Sequence, residues 1–330
     1  MVKKFVNYDI LLCGIGGSVF EKFIRSPLNY TGNKFRILSQ IIKYFPKKIK
    51  TFVDLFCGGA TVGFNIDAQK VILIDSNPRI INLLQTLADN NIEKIIGRVE
   101  SLIEKYNLSY SYKYGYAYYR KNGYVEGNNG LKKYNNIGYY KLRDDYNNLS
   151  DKTTFDANIM LYTLMVYGFN NDIRFNAEGN FNLPVGKTDF NKNNYSKLVD
   201  FNERAKKIDF EFVLADFKSK EVLDIIDKSD FVYCDPPYLI TTAVYNENNG
   251  WSADDEKALL SILKNIDSKG KKFALSNILK KVDRENVILS NWLKSNNYVK
   301  HRINYHYRSA SYNKKNRNGQ EEEVLITNEN

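Results

Sequence analysis

The chain has 330 residues, 43% hydrophobic and 26% charged, a composition that excludes a disordered or fibrous protein and is long enough to bury a full core. Its 48 Lys and Arg against 38 Asp and Glu give a formal net charge of +10, which points to a polyanionic partner; the Lys, Asn, Ile, Tyr and Phe bias of A+T-rich coding accounts for part of that surplus. Three isolated cysteines (Cys13, Cys57, Cys234) and only two histidines argue against a disulfide framework and a Cys/His zinc site, so no metal is expected and a reducing, cytoplasmic compartment fits.

Taken in chain order, residues 1–25 read as an N-terminal arm. Asn7, Tyr8 and Asp9 interrupt its apolar stretch, which argues against a secretory leader. Gly14-Ile15-Gly16-Gly17 looks like a dinucleotide loop but has no helix after it, so a flexible arm is expected. Ser26-Pro27-Leu28-Asn29-Tyr30-Thr31-Gly32-Asn33-Lys34 then leads into the helical FRILSQIIKYF. From Thr51, an apolar run, a glycine turn, a second apolar run (VILID) and an amphipathic segment form the opening of a βαβ unit.

The stretch from about Tyr106 to Arg143 is rich in Tyr, Gly and Asn without a sustained period, and reads either as an inserted module over a ligand or as a low-complexity loop. Further apolar runs follow at Phe210–Phe217, Asp230–Tyr238 and Lys271–Asn277. Between the last two, DDEKALLSILKNI has helical spacing after Ser252, a predicted N-cap. HRINYHYRS and EEEVLITN predict an antiparallel hairpin at one sheet edge. No apolar run approaches the ~20 residues of a membrane span, so no membrane partner is expected.

Three strings carry chemistry. Cys234-Asp235-Pro236-Pro237-Tyr238 follows an apolar run, which puts a carboxylate and backbone carbonyls at the carboxyl end of a sheet, where ligands bind in open α/β folds. The two prolines remove two N–H donors, so the turn offers acceptors beside the flat ring of Tyr238, an arrangement suited to an exocyclic NH2 on a base. In Asp54-Leu55-Phe56-Cys57-Gly58-Gly59-Ala60-Thr61-Val62, glycines allow close ligand approach. Asp75, about 20 residues on, stands where an acid takes ribose hydroxyls, which implies a nucleoside-containing cofactor; without G-x-G-x-x-G, and with Asp54 opposing a pyrophosphate, NAD is disfavoured. Cys57 and Cys234 lack a Pro-Cys context for a thiolate nucleophile, and His301 and His306 lack a catalytic partner at any suggestive spacing.

Read together, Pro27–Lys34, Asp54–Gly59, Asp75 and Asp235–Tyr238 resemble, in this order, the Dam-like amino (alpha, D12) group of S-adenosylmethionine-dependent DNA N6-adenine methyltransferases. Ala215-Asp216-Phe217 is similar to that family's pair at the cofactor adenine. Arg174–Lys187 resembles its target-recognition hairpin, but Lys187-Thr188 stands where members reading GATC usually carry an Arg–aromatic pair.

The resemblance implies a Rossmann-like α/β fold with a seven-stranded methyltransferase sheet. Residues 26–100 and 205–330 would form the catalytic domain, and 101–204 an inserted, Tyr-rich recognition domain. It implies methyl transfer from S-adenosylmethionine to N6 of an adenine flipped out of double-stranded DNA, a site-specific reaction that can belong to a restriction–modification system, with a cognate endonuclease acting on the same site. Asp235, Pro236, Pro237 and Tyr238 would be catalytic. Tyr30, Lys34, Asp54, Phe56, Gly58, Asp75, Asp216, Phe217 and Asp235 would meet the cofactor, and Arg174, Asn182, Lys187, Lys314 and Arg317 the DNA. N4 of cytosine, an adenine in RNA or a glutamine amide also presents an NH2 to such a turn, and a catalytically silent nucleic-acid-binding module is the remaining alternative.

Overall fold

The computed structural model describes residues 23–240, 250–282, 284–303 and 321–328. In chain order the strands are β1 (Ile49–Asp54), β2 (Ala68–Asp75), β3 (Asp209–Leu214), β4 (Phe231–Cys234), β5 (Lys272–Lys281), β6 (Arg284–Glu285), β7 (Val299–Arg302) and β8 (Glu321–Thr327). The helices are α1 (Leu38–Ile42), α2 (Pro78–Asp89), α3 (Ile92–Lys105), α4 (Ser111–Tyr114), α5 (Tyr116–Lys121), α6 (Lys132–Asn147), α7 (Phe155–Tyr167), α8 (Lys192–Ala205), α9 (Lys220–Ile226), α10 (Ala253–Ser268) and α11 (Val287–Lys294).

Seven strands form one path, β3-β2-β1-β4-β5-β8-β7, and the two-residue β6 pairs with β5. β3, β2, β1, β4 and β5 are parallel neighbours, whereas β8 runs antiparallel to both β5 and β7. The expected terminal hairpin is present, but only β7 lies at the edge. β8 is an interior strand, buried from Glu323 to Thr327, because VLIT can cover both faces of the sheet between two partners.

Side chains alternate across the sheet as the two-residue period requires. Phe52, Val71, Leu73, Phe231 and Tyr233 join a core cluster with α1, α2, α3, α6, α7 and α8. Val53, Ile72, Ile74, Val232 and Cys234 face the opposite way, onto α9, α10 and α11. The result is a three-layer α/β/α sandwich. Ser252 caps α10 as predicted, its side chain accepting from the Asp255 N–H in a capping box.

The Tyr-rich stretch is not a loop: it holds α4, α5 and α6. On α6 the buried residues Asn135, Tyr139, Leu142 and Tyr146 are a helical stripe, hidden in the sequence because three of the four are Asn or Tyr rather than aliphatic residues. Tyr139, Tyr146, Tyr162 and Tyr167 belong to the same cluster as Phe52 and Leu73, so this segment and the sheet share one core.

Candidate active site

β1 is flanked by β2 and β4, and the connections leave toward opposite sheet halves, which makes the carboxyl end of β1 the topological switch point. After Asp54 the chain turns sharply. The Leu55 N–H donates to Tyr233 O (2.9 Å) and the Cys57 N–H to Ile74 O (2.9 Å), so the ends of β4 and β2 hold the turn from both sides. Gly58 has φ +47°, and a Cβ there would come within 2.8 Å of the Tyr30 ring, so only glycine lets Tyr30 lie over the turn. Ala60 is also left-handed, at φ 56°.

A cavity of about 470 Å³ opens above this turn. All twelve residues assigned to catalysis or cofactor from the sequence line it: Tyr30, Lys34, Asp54, Phe56, Gly58 and Asp75 from the first half of the chain, and Asp216, Phe217, Asp235, Pro236, Pro237 and Tyr238 from the second. Five aspartates line it, with Asp255 as the fifth, against a single lysine among the described residues. Their partners define its chemistry. Asp235 is fixed at both oxygens, one receiving the Lys34 ammonium at 2.7 Å and the other the Tyr238 hydroxyl at 2.9 Å. Asp75 accepts from the Gly58 N–H (3.0 Å) and the Asn77 N–H (2.9 Å), which ties the end of β2 to the β1 turn.

Asp54 is buried and accepts from the Gly63 N–H at 3.0 Å. Burial, outweighing that hydrogen bond, raises its carboxyl pKa to about 7, and the nearby Asp235 and Asp75 charges push the same way. Burial also raises the Asp75 carboxyl, and it holds the thiols of Cys57 and Cys234 well above the usual cysteine range, which leaves both inert.

One wall is aromatic, and the sequence reading found only part of it. Phe56 and Phe217 meet with centroids 5.3 Å apart, and Trp251 closes the group at 5.5 Å from Phe56 and 5.3 Å from Phe217. Trp251 directly precedes the Ser252 cap, and its indole N–H donates to Glu256 at 2.6 Å. Glu256, fully buried, also accepts from Asn286 (2.8 Å) and Asn277 (3.2 Å). The one local signal for Trp251 was its place immediately before a helix cap.

Of the residues expected to meet DNA, Arg174, Asn182 and Lys187 are among those described. Arg174 donates from Nε to Asn182 Oδ1 (2.8 Å) and from Nη2 to Asn182 O (3.2 Å), bracing the hairpin that the Phe175–Phe181 bridge pairs. Lys187 backbone carbonyl accepts from the Leu131 N–H at 3.0 Å. None of Arg174, Asn182 and Lys187 lines the cavity. His301 stacks on Tyr44 (3.7 Å) and bonds Thr327 (2.9 Å), a satisfied position away from the site. Lys314, Arg317, His306 and arm residues 1–22 lie outside the described residues.

A mostly parallel sheet with its last strand inserted antiparallel, and a ligand cavity at the β1 switch point, defines a Rossmann-like methyltransferase fold. The pattern of the D12 class N6 adenine-specific DNA methyltransferases matches residues 30–313, and the chain belongs to that family. It is 38% identical over 320 residues to the type II methyltransferase M.FokI of Planomicrobium okeanokoites, a match covering 95% of this chain and 44% of the relative. The modification methylase StsI of Streptococcus sanguinis is 32% identical over 314 residues, covering 93% of this chain and 43% of that protein. The retron Ec67 DNA adenine methylase of Escherichia coli is 28% identical, with 76% of each chain covered. The chain thus spans less than half the length of the first two relatives.

Proposed function

We propose that this protein transfers a methyl group from S-adenosylmethionine to N6 of an adenine in double-stranded DNA, at a specific site and within a restriction–modification system. In this reading residues 26–100 and 205–330 carry the catalysis and 101–204 the recognition of DNA, and the protein works inside the cell. Among the described residues no helix is long and apolar enough to cross a membrane. Family membership supports the substrate class. The observation that carries the cofactor is the cavity itself, which sets five aspartates against one lysine beside an aromatic wall.

That lining fits a nucleoside carrying positive charge. Phe56, Phe217 and Trp251 offer flat surfaces to a purine, with Asp216 at its edge, and Asp75 faces the ribose position at the end of β2. Asp54 is then the anion for the charged amino-acid end, with Tyr30 and Lys34 closing the same side. When bound, S-adenosylmethionine supplies an electrophilic methyl group on a sulfonium that departs as a neutral thioether.

The adenine must leave the base stack to enter, at a cost of a few kcal/mol. Tyr238 offers it a ring. Its amino nitrogen is a poor nucleophile because the lone pair is delocalised into the purine. The Asp235 carboxylate, held by Lys34 and Tyr238, keeps acceptor capacity for an N6 proton, and the Pro236 carbonyl provides a second acceptor. Two such bonds draw N6 toward tetrahedral geometry and aim its lone pair, so positioning and electrostatics do the catalysis without a covalent intermediate.

The test is to express the chain in a methylation-free host and sequence the modified bases of its DNA. N6-methyladenine at one recurrent sequence is expected, and Asp235→Ala should lower transfer by at least about 10²-fold while circular dichroism shows the chain still folded. N4-methylcytosine, or full activity of the variant, overturns the assignment.

A further inference from the structure

Residues 111–134 form a small, firmly anchored module. Buried Asp189 accepts from the Ser111 N–H at 2.7 Å, the Tyr110 N–H donates to the Tyr119 hydroxyl at 2.6 Å, and the Ser109 N–H donates to buried Asn135 at 2.7 Å. On this base stand five exposed tyrosines: Tyr112 (38%), Tyr114 (54%), Tyr116 (39%), Tyr118 (48%) and Tyr124 (44%). They are not independent side chains. Tyr112 stacks on Tyr195 at 4.3 Å, Tyr114 meets Tyr118 at 5.7 Å, and Tyr118 and Tyr124 both reach Tyr119. Burial at the base has fixed a row of phenols in place while leaving their outer faces in water.

Such an exposed aromatic surface marks an interaction site, and its charge says with what. Lys113, Arg120, Lys121, Lys132 and Lys133 are exposed on the same stretch, and Glu126 is its only acid. Lys113 lies over the Tyr114 ring (5.4 Å) and Arg120 over Tyr116 (5.6 Å), so cations and rings are interleaved.

The module also continues from the cavity mouth. Thr31, on the cavity wall, reaches Asp172 at 3.5 Å; the adjacent Asn171 donates to Thr188 at 3.0 Å; and the Lys187 carbonyl accepts from the Leu131 N–H inside the module at 3.0 Å.

Resting on the reading above, we propose that this tyrosine and lysine surface grips the sugar–phosphate backbone of duplex DNA flanking the target. The hydroxyls donate to phosphate oxygens and the ammonium and guanidinium groups neutralise them, which holds the duplex without reading its sequence. The surface gives affinity and register; the choice of base rests elsewhere.

Three full-chain proteins test this: wild type, Lys113→Gln/Arg120→Gln/Lys121→Gln, and Tyr114→Phe/Tyr116→Phe/Tyr118→Phe, which keeps the ring packing. Each is titrated with a mixed-sequence 30-base-pair duplex over a salt series, and assayed for methyl transfer to plasmid DNA. The charge variant should bind at least ~10-fold more weakly at 0.1 M salt and lose about 2–3 from its log–log salt slope, at roughly 0.9 per phosphate contact. The phenylalanine variant should bind several-fold more weakly. In both, KM for DNA should rise while kcat at saturating plasmid and the melting temperature hold. Unchanged salt slope and KM overturn the proposal, as does a shift in sedimentation showing that the surface joins two copies of the chain. Absence of methyl transfer by wild type overturns the enzymatic reading instead, and leaves the binding comparison to judge the surface.

Discussion

Asp54 shows how a single side chain can be held at a cost to the fold. Its carboxyl is raised from 3.8 to about 7 by burial, so the folded state favours the protonated form, and the contribution of Asp54 to stability falls as pH rises from about 4 to about 7 and stays low above that. Asp54→Asn keeps an acceptor for the Gly63 N–H and removes the charge. It should stabilise the protein by up to about 4 kcal/mol at pH 8 and not at all at pH 4, read from denaturant midpoints at the two pH values. The same change should cost cofactor affinity, because a cationic ligand needs the ionised form. In the wild type, calorimetry should find affinity rising with pH, by up to about tenfold per unit, to a plateau above about 7. An affinity flat between pH 5 and 8 would mean that Asp54 does not face the cation.

At the level of elements, the start of α10 does two jobs. Ser252 and Asp255 close the capping box, and one turn later Glu256 holds the indole of Trp251 against Phe56 and Phe217. Trp251→Ala should weaken cofactor binding by about 1–3 kcal/mol with kcat nearly unchanged, as loss of a large ring from a binding wall requires. Glu256→Gln brings its own NH2 among three donors and leaves at least one unsatisfied in the core. It should destabilise the fold by about 1–3 kcal/mol in thermal or urea unfolding.

The hairpin at Arg174 is likewise an element held by its own side chains. Two of the five guanidinium donors are used on Asn182, which leaves three for a base edge. Arg174→Ala should relax discrimination at one base pair by about 1–3 kcal/mol across a library of single-base variants. A uniformly reduced rate with the same preference profile would limit Arg174 to bracing.

For the whole molecule, the core decides how the chain can be divided. Tyr139, Tyr146, Tyr162 and Tyr167, all within residues 101–204, pack in one cluster with Phe52, Leu73 and Phe231 of the sheet. Residues 101–204 expressed alone would expose those rings, so that fragment should fail to give a cooperative melt or dispersed NMR amide signals, whereas the full chain should melt cooperatively. A folded fragment would show that residues 101–204 carry their own core.

The convergence of the candidate residues on one cavity was legible in the chain. Its three turn strings are local: each places an acid or a glycine at the end of a strand, and strand ends in a parallel sheet converge at the switch point whatever the helices do. All twelve assigned residues therefore meet in one cavity. Only the tertiary structure could bring Trp251 into that wall, because its position depends on Glu256 bonding Asn277 and Asn286, which lie 21 and 30 residues further along the chain. Tertiary structure also decided that β8 is an interior strand and that the Tyr-rich stretch is helical. Pairing order is set by contacts across the sheet, and the stripe of Asn135, Tyr139 and Tyr146 becomes apolar in effect only when a folded core surrounds it.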